Sequence, residues 1–256
     1  MKTITIGALK GGVGKTNFAF NLSCFLAIEK KKRILILDLD PQANLTQCFQ
    51  LEVATSHAMD MFLKHEKNIE EIIFKTNFET INIVPTNISM SNLEIQLFNE
   101  LSRENKLKKF LNKNKTFLKD NYDYIIIDTN PSLNITNINA YLAADNIILV
   151  SDNSIHSLRA IDVIGNMWET ITKNLEIPNN IKAIVLNNFD HFNISKDFKD
   201  ELEKLPLKEL LIKQDIRKKQ VFKTSEITGV PVIKLLAKQD NPYFHIVTEL
   251  EQKGVI

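Results

Sequence analysis

One segment near the N-terminus constrains the possible folds more than any other part of the chain. It reads Lys10-Gly11-Gly12-Val13-Gly14-Lys15-Thr16 and holds three of the seven glycines. Residues 3–6 before it form a β-branched run that predicts a strand. The apolar positions after it share one face of a helix beginning at Thr16: Phe18, Leu22, Phe25 and Leu26. A strand, a glycine-rich loop and a helix in this order predict an α/β fold with an anion-binding loop.

The side chains of this loop suit the phosphates of a nucleotide. Glycines let consecutive backbone N–H groups point at one centre, and the positive end of the helix dipole adds to the field there. Lys15 supplies a positive charge for the β- and γ-phosphates, and the Thr16 hydroxyl is placed to bind Mg²⁺. A glycine turn with solvated lysines is the alternative, which the flanking strand and helix disfavour.

The loop departs from the usual pattern G-x-x-x-x-G-K-[S/T], because Leu9 stands five residues before Gly14 and a second lysine, Lys10, opens the loop. It resembles the deviant Walker A motif of the ParA/MinD ATPases, which are P-loop NTPases. The resemblance implies ATP as the nucleotide and a catalytic role for Lys15. It also implies an ATP-dependent homodimer in which Lys10 reaches the nucleotide of the facing subunit as a catalytic residue.

Many relatives carry a second threonine where this chain has Asn17, whose amide can still donate a hydrogen bond toward the α-phosphate region. We therefore expect the nucleotide to contact the whole loop and the residue after it: Lys10, Gly11, Gly12, Val13, Gly14, Lys15, Thr16 and Asn17.

Two apolar runs further along the chain end in aspartates. Residues 34–37 lead into Asp38 and Asp40, and residues 124–127 lead into Asp128. Ligands of open α/β sheets gather at the carboxyl ends of strands, so these acids should face the phosphate loop. The alternative for each is an ordinary helix N-cap or turn aspartate.

The residues around these three aspartates resemble known motifs, and the resemblance implies a specific role for each aspartate. The stretch from Asp38 to Asn44 resembles the Walker A′ and switch I segment D-x-D-P-Q-x-N of the ParA family, and the stretch ending in Asp128 resembles its Walker B strand. The resemblance implies that Thr16, Asp38 and Asp128 hold Mg²⁺ and its water shell, and that Asp40 orients the attacking water as a catalytic residue. Relatives carry a proline where this chain has Asn130, which predicts a less rigid switch II loop.

Two C-terminal stretches extend the resemblance. Residues 184–189 resemble the family's strand that ends in an asparagine touching adenine, which implies Asn187, with Asn188 close behind, as a nucleotide contact. Residues 216–223 resemble a segment near which plasmid ParA proteins bind DNA without sequence preference. Six basic residues stand against two acidic ones between positions 208 and 223. The implied DNA-binding residues are Arg217, Lys218, Lys219 and Lys223, and the alternative is a solvated basic helix.

The pattern along the chain predicts an α/β P-loop NTPase fold with a doubly wound, mostly parallel sheet and helices on both faces. Apolar runs that suit strands covered on both faces recur at 4–8, 34–37, 81–84, 124–127, 147–150 and 181–186. Residues 57–75 and 90–119 look helical. Because the chain opens on its first strand, we expect one ATPase domain over residues 1–256, without an N-terminal helix-turn-helix domain.

Composition limits the classes of partner that can be expected. The net charge of +1 does not by itself indicate nucleic-acid binding, so any such binding must come from local clusters of basic residues. No apolar run approaches a membrane span, and the N-terminus lacks a signal-peptide pattern, so we expect a cytoplasmic protein without a membrane partner. Cys24 and Cys48 are too few for a disulfide or metal framework.

The resemblance as a whole implies a ParA-type partition ATPase. Such a protein associates with the nucleoid by binding nonspecific double-stranded DNA. A ParB-type centromere-binding protein stimulates its hydrolysis, and plasmid or chromosome cargo is moved or spaced. The main rival is a MinD-like regulator cycling on a membrane, which needs a basic amphipathic C-terminal helix that residues 246–256 do not provide. An iron–sulfur carrier is a second rival class, but it needs two cysteines per subunit after the third and fourth strands of the nucleotide site, where this chain has none. A metabolic ATPase or ligase on the same scaffold is a third rival class.

Overall fold

A seven-stranded sheet forms the centre of the computed structural model, which describes residues 1–63, 67–188 and 196–256. The strand order is β3-β4-β2-β5-β1-β6-β7. All pairings are parallel except the one between β3 and β4 at one edge. The strands are β1 (Lys2–Gly7), β2 (Ile34–Asp38), β3 (Phe74–Lys75), β4 (Ile81–Val84), β5 (Tyr124–Asp128), β6 (Asn146–Ser151) and β7 (Ile181–Leu186).

Helices connect the strands, as parallel pairing requires. Those before β5 are α1 (Lys15–Ile28), α2 (Asn44–Cys48), α3 (His57–Leu63), α4 (Leu93–Leu97), α5 (Lys106–Lys113) and α6 (Lys115–Asn121). Those after it are α7 (Ile135–Ala143), α8 (Ile155–Asn174), α9 (Lys196–Lys204), α10 (Gln220–Thr228), α11 (Val232–Leu235) and α12 (Tyr243–Gln252).

Side chains of the central strands alternate between two hydrophobic cores, one on each face of the sheet. In β2, Ile34 and Ile36 enter the core built with α1, α10 and α12, whereas Leu35 and Leu37 enter the core built with α3, α5 and α7. Both sets are fully buried. The near-continuous apolar strands are therefore explained by helices on both faces, and the predicted fold class is confirmed.

Helix α1 is buried on nearly all sides, which differs from the one-faced helix that the sequence predicts. Residues 17–27 are all buried, because α2, α10, α11 and α12 cover the side of α1 that faces away from the sheet. The three C-terminal helices α10, α11 and α12 therefore pack directly on the helix that follows the phosphate loop.

Two helical predictions were too long. Phe74 and Lys75 form the antiparallel strand β3 instead of the end of a helix. The stretch 90–119 is broken into short helices, because Ser102 has a positive φ of 51° and Asn114 ends one helix and begins the next. No helix within the described ranges is both long and apolar enough to cross a membrane.

Candidate functional site

The carboxyl ends of β1, β2 and β5 meet at a cavity of about 600 Å³. Ligand cavities of proteins commonly have this size. The lining includes every residue of the loop from Lys10 to Thr16, together with Asn17, Asp40 and Asn188. The structure therefore brings together most of the nucleotide contacts that the sequence predicts.

Backbone conformation explains the glycines of the loop. Gly12 and Gly14 both have φ of 79°, a region that side chains with a Cβ rarely adopt. A Cβ on Gly14 would also clash with the Asn187 amide nitrogen. That nitrogen donates to the carbonyl oxygens of Val13 (2.9 Å) and Gly14 (3.1 Å), and Asn188 donates to Gly12 (3.2 Å). The two asparagines thus brace the loop, and Asn188 is the one that lines the cavity.

A buried ion pair occupies the centre of the site. The Lys15 ammonium lies 2.6 Å from one carboxylate oxygen of Asp128, and the Thr16 hydroxyl donates to the other at 2.7 Å. Lys15 is 6 % exposed and Asp128 is fully buried. Because both residues lie deep in the fold, the ammonium offsets the cost of burying the carboxylate.

Asp38 lies beside Asp128, since the two residues are register partners on β2 and β5. Its carboxylate accepts hydrogen bonds from the backbone and hydroxyl of Thr46 at 2.8 and 2.7 Å. Burial, with the negative charge of Asp128, raises the pKa of Asp38 to about 7 despite these bonds. A bound cation would favour the ionised form of Asp38.

The oxygen atoms available as metal ligands around Asp38 and Asp128 fit Mg²⁺ rather than a softer metal. The Thr16 hydroxyl and the carboxylates of Asp38 and Asp128 are hard oxygen ligands. The described part of the chain holds no cluster of three or more histidine, cysteine, aspartate or glutamate residues that could form an all-protein metal cage. Mg²⁺ commonly binds in this way, through one or two carboxylates plus substrate phosphates.

Asp40 faces the cavity from the switch I segment. Its carboxylate accepts a hydrogen bond from the Gln42 backbone at 3.0 Å, and the side chain lines the cavity. Burial raises the pKa of Asp40, although this hydrogen bond and the charge of Lys15 oppose the shift. A carboxylate held in this way can orient a water molecule.

Lys10 lies at the rim of the same cavity and pairs within its own subunit. Its ammonium is 2.7 Å from Asp152 and 3.0 Å from the Ser154 hydroxyl. The Lys10 side chain is 40 % exposed, in contrast to Lys15. Burial opposes ionisation of Asp152, but the hydrogen bonds from Lys10 and Ser154 hold its pKa at about 2.

Hydrogen bonds from α7 hold the switch II loop. The Asn137 side-chain amide in α7 donates to the backbone oxygens of Asn130 and Ser132. The Ser132 hydroxyl also donates to the Asn130 side chain at 2.6 Å. These bonds fix the segment in which relatives carry the additional proline.

The basic C-terminal segment is divided between two cavities. Lys218, Lys219 and Lys223 line the 600 Å³ cavity, whereas Arg217 and Lys219 line a neighbouring cavity of about 230 Å³. Asn17 connects the loop to this segment, because its amide donates to the Phe222 backbone oxygen at 2.6 Å. The Asn17 nitrogen is therefore directed at α10 in this structure.

Sequence reasoning missed several residues of the site. Asp152 and Thr46 hold Lys10 and Asp38, and Glu226 lines the cavity from α10. Asp152 directly follows strand β6, so the rule that ligands gather at strand ends could have indicated it. Thr46 and Glu226 lie inside helices and carried no comparable signal.

Comparisons with known proteins agree with this geometry. Residues 1–183 match the family model described as "AAA domain". The chain is 34% identical to the sporulation initiation inhibitor protein Soj of Bacillus subtilis (strain 168), over 74% of this chain and 73% of Soj. It is also 34% identical to the virulence plasmid ParA family protein pGP5-D of Chlamydia psittaci, over 69% of this chain and 67% of that protein.

A solved structure shows the same fold. A variant of Cyanothece McdA in complex with ATP aligns with a TM-score of 0.84 and 21% identity, over 98% of this chain and 96% of that chain. The fold and the loop together define a P-loop NTPase. With the relatives above, they show that the chain belongs to the ParA family of ATPases.

Proposed function

We propose that this protein is a partition ATPase that binds ATP and Mg²⁺, dimerises face to face and then binds nonspecific DNA. A ParB-type centromere-binding protein would stimulate hydrolysis, and plasmid or chromosome cargo would be moved or spaced along the nucleoid. The domain over residues 1–256 performs all three steps in this proposal.

One observation carries the proposal: the two lysines of the loop share a cavity but differ in burial. Lys15 is buried against Asp128, so it can serve only the nucleotide of its own subunit. Lys10 is 40 % exposed at the rim, where a facing subunit could present its nucleotide. Lys10 pairs with Asp152 in the single subunit. On dimerisation, the Lys10 ammonium would leave Asp152 and bind a phosphate of the facing subunit's nucleotide.

The remaining residues have defined roles in hydrolysis. Loop N–H groups and Lys15 would hold the phosphates, which requires Lys15 to move from Asp128 toward the nucleotide. Mg²⁺ held by Thr16, Asp38 and Asp128 would neutralise phosphate charge. Asp40 would orient a water molecule whose oxygen attacks the γ-phosphorus as the bond to the β-phosphate oxygen breaks, giving ADP and phosphate.

The DNA contacts in this proposal are Arg217, Lys218, Lys219 and Lys223, which are all exposed. Three of them also line the nucleotide cavity, so nucleotide and DNA contacts lie side by side. A few phosphate contacts per subunit give weak, salt-dependent binding, and a dimer doubles them. Because ATP would drive dimerisation and the dimer has twice as many phosphate contacts, DNA binding would depend on ATP.

The MinD-like alternative is disfavoured by the packing of α12. Tyr243, Ile246, Val247 and Leu250 are fully buried in the core, so the apolar face of this helix is not available to a membrane. Its accessible face carries Glu249 and Glu251. Cys24 and Cys48 are both buried, which disfavours the iron–sulfur alternative in the same way.

Retention on immobilised duplex DNA and on anionic vesicles, with ATP, with ADP and without nucleotide, tests the proposal. We expect the protein to be retained on DNA only in the presence of ATP. We expect no retention on vesicles under any of the three conditions. Arg217→Ala should weaken DNA binding and reduce its salt slope by about 1 while nucleotide binding is kept. Lys182→Ala, which removes an exposed charge at the opposite end of β7, is the matched control. Retention on vesicles instead of DNA would contradict the proposal.

A further inference from the structure

We infer that Thr46 is a positioning residue for ATP hydrolysis, because it orients the Asp38 carboxylate for Mg²⁺ and closes switch I so that Asp40 faces the nucleotide. This inference rests on the roles of Asp38 and Asp40 in the proposed function. Thr46 lies inside α2 and is not part of the cavity lining, so it acts on the reaction through the two aspartates.

The hydrogen bonds of the Thr46 hydroxyl leave one direction for its proton. The oxygen accepts a hydrogen bond from the Thr86 backbone N–H at 3.2 Å, and a backbone N–H can only donate. The hydroxyl proton is therefore directed at Asp38, whose Oδ2 atom lies 2.7 Å away. Because Thr46 is 1 % exposed, bulk water has little access to this bond. The hydroxyl is a fixed donor to the carboxylate.

Thr46 distinguishes the two oxygen atoms of the Asp38 carboxylate. Oδ2 accepts hydrogen bonds from the hydroxyl and from the backbone N–H of Thr46, at 2.7 and 2.8 Å. Within the described residues, Oδ1 accepts one longer bond, from the Asp40 backbone at 3.2 Å. Each carboxylate oxygen has about two lone pairs, so Oδ2 is saturated and Oδ1 keeps one lone pair. Oδ1 is therefore the atom that can serve Mg²⁺ or a water molecule of its shell.

The same contact closes switch I into a loop. Residues 38–46 begin and end at the bonds between Asp38 and Thr46. Side chains on this loop line the nucleotide cavity, namely Asp40, Gln42 and Asn44. Loss of the Thr46 hydroxyl would therefore loosen both carboxylates that the proposed reaction uses, the one for Mg²⁺ and the one for the attacking water.

Thr46 is held from behind by residues that belong to the sheet. Its partner Thr86 follows strand β4, the parallel neighbour of β2. The hydroxyls of Thr86 and Ser56 lie 2.7 Å apart, and these residues are 1 % and 5 % exposed. Replacing a residue that orients a metal ligand typically lowers metal affinity by about 10- to 100-fold. Thr46 has the position and the support for an effect of this size.

Thr46→Val removes the hydroxyl at nearly constant volume, and Thr46→Ser restores it. For binding of a fluorescent, non-hydrolysable ATP analogue, we expect the Mg²⁺ concentration that gives half of the Mg²⁺ effect to rise at least about tenfold in Thr46→Val and less than about threefold in Thr46→Ser. Affinity without Mg²⁺ should be unchanged. At saturating Mg²⁺, Thr46→Val should hydrolyse ATP at least about tenfold more slowly, because Asp40 is held less firmly. Thr172→Val is the matched control, since it removes a buried hydroxyl that bonds to the backbone of α8.

A second measurement keeps the test decisive if Thr46→Val unfolds. In the wild-type protein with bound ADP, the backbone amide resonance of Thr46 should shift on addition of Mg²⁺, whereas that of Thr172 should not. An unmoved Thr46 resonance, an unchanged Mg²⁺ dependence in a folded Thr46→Val variant, or equal effects of Thr46→Val and Thr46→Ser would overturn the inference. Hydrolysis by Thr46→Val at the wild-type rate in saturating Mg²⁺ would overturn the closure of switch I.

Asp38→Asn separates a failure of this inference from a failure of the proposed function. It should raise the required Mg²⁺ concentration whether or not Thr46 contributes. A normal Mg²⁺ dependence in Asp38→Asn would overturn the magnesium role of Asp38, and the inference with it. A raised requirement in Asp38→Asn together with a normal one in Thr46→Val would overturn the inference alone.

Discussion

Lys15→Met tests the buried ion pair at the centre of the site. Methionine keeps most of the aliphatic length of the lysine but removes the ammonium that lies 2.6 Å from Asp128. Asp128 is fully buried, and its neighbour Asp38 adds a second carboxylate. Removing one member of a buried pair leaves an uncompensated charge and typically costs about 3–5 kcal/mol. We expect the free energy of unfolding to fall by that amount without nucleotide.

Urea unfolding at neutral pH measures the effect, and two further variants isolate its cause. In the Lys15→Met/Asp128→Asn double variant, both charges are gone and asparagine can still accept the Thr16 bond. The double variant should therefore be at least about 2 kcal/mol more stable than Lys15→Met alone. Lys10→Met breaks the half-exposed pair with Asp152 and should cost about 1 kcal/mol or less.

A Lys15→Met variant within about 1 kcal/mol of wild type would refute this role of the ion pair. A double variant that is less stable than the single one would refute it as well. Either result would mean that Asp128 does not depend on Lys15 for compensation in the nucleotide-free protein.

Three further perturbations test other parts of the site. Asp40→Ala should retain ATP binding but release phosphate at least about tenfold more slowly in a coupled assay, and normal turnover would exclude its water-orienting role. Gly14→Ala should cost at least about 2 kcal/mol of stability by thermal unfolding, because φ is 79° and the added Cβ meets Asn187. The Asp152 pKa of about 2, against an ordinary 3.8, adds stability that is present above pH 3.8 and lost as pH falls toward 2. Wild type should therefore lose more stability than Asp152→Asn over that interval, by about 1 kcal/mol once the exposure of Lys10 is discounted, and parallel pH profiles would contradict the pairing.

The sequence predicts what depends on local pattern. The strands of the central sheet follow from apolar runs, and the loop from Lys10 to Thr16 follows from glycines whose positive φ the structure confirms at Gly12 and Gly14. The acids at the ends of β2 and β5 come together because parallel strands end at one edge. These features need no knowledge of distant contacts.

The remainder depends on packing between segments far apart in sequence. Strand β3 is only two residues long and is defined by its pairing with β4, so no periodicity predicts it. Lys10 meets Asp152 across 142 positions of the sequence. The sequence indicates the role of the basic segment by its charge and by its resemblance to plasmid ParA proteins, but only the packing of α10 on α1 places Lys218 and Lys223 at the nucleotide cavity.

Mixing two inactive variants tests the central claim, that Lys10 acts on the nucleotide of the facing subunit. In a mixed dimer of Lys10→Ala and Asp40→Ala, one site combines an intact Asp40 with the partner's Lys10, and the other site lacks both. If Lys10 acts across the interface, ATP hydrolysis by the mixture should clearly exceed the sum of the two variants measured separately. Activity no greater than that sum would contradict the claim and place the action of Lys10 within its own subunit.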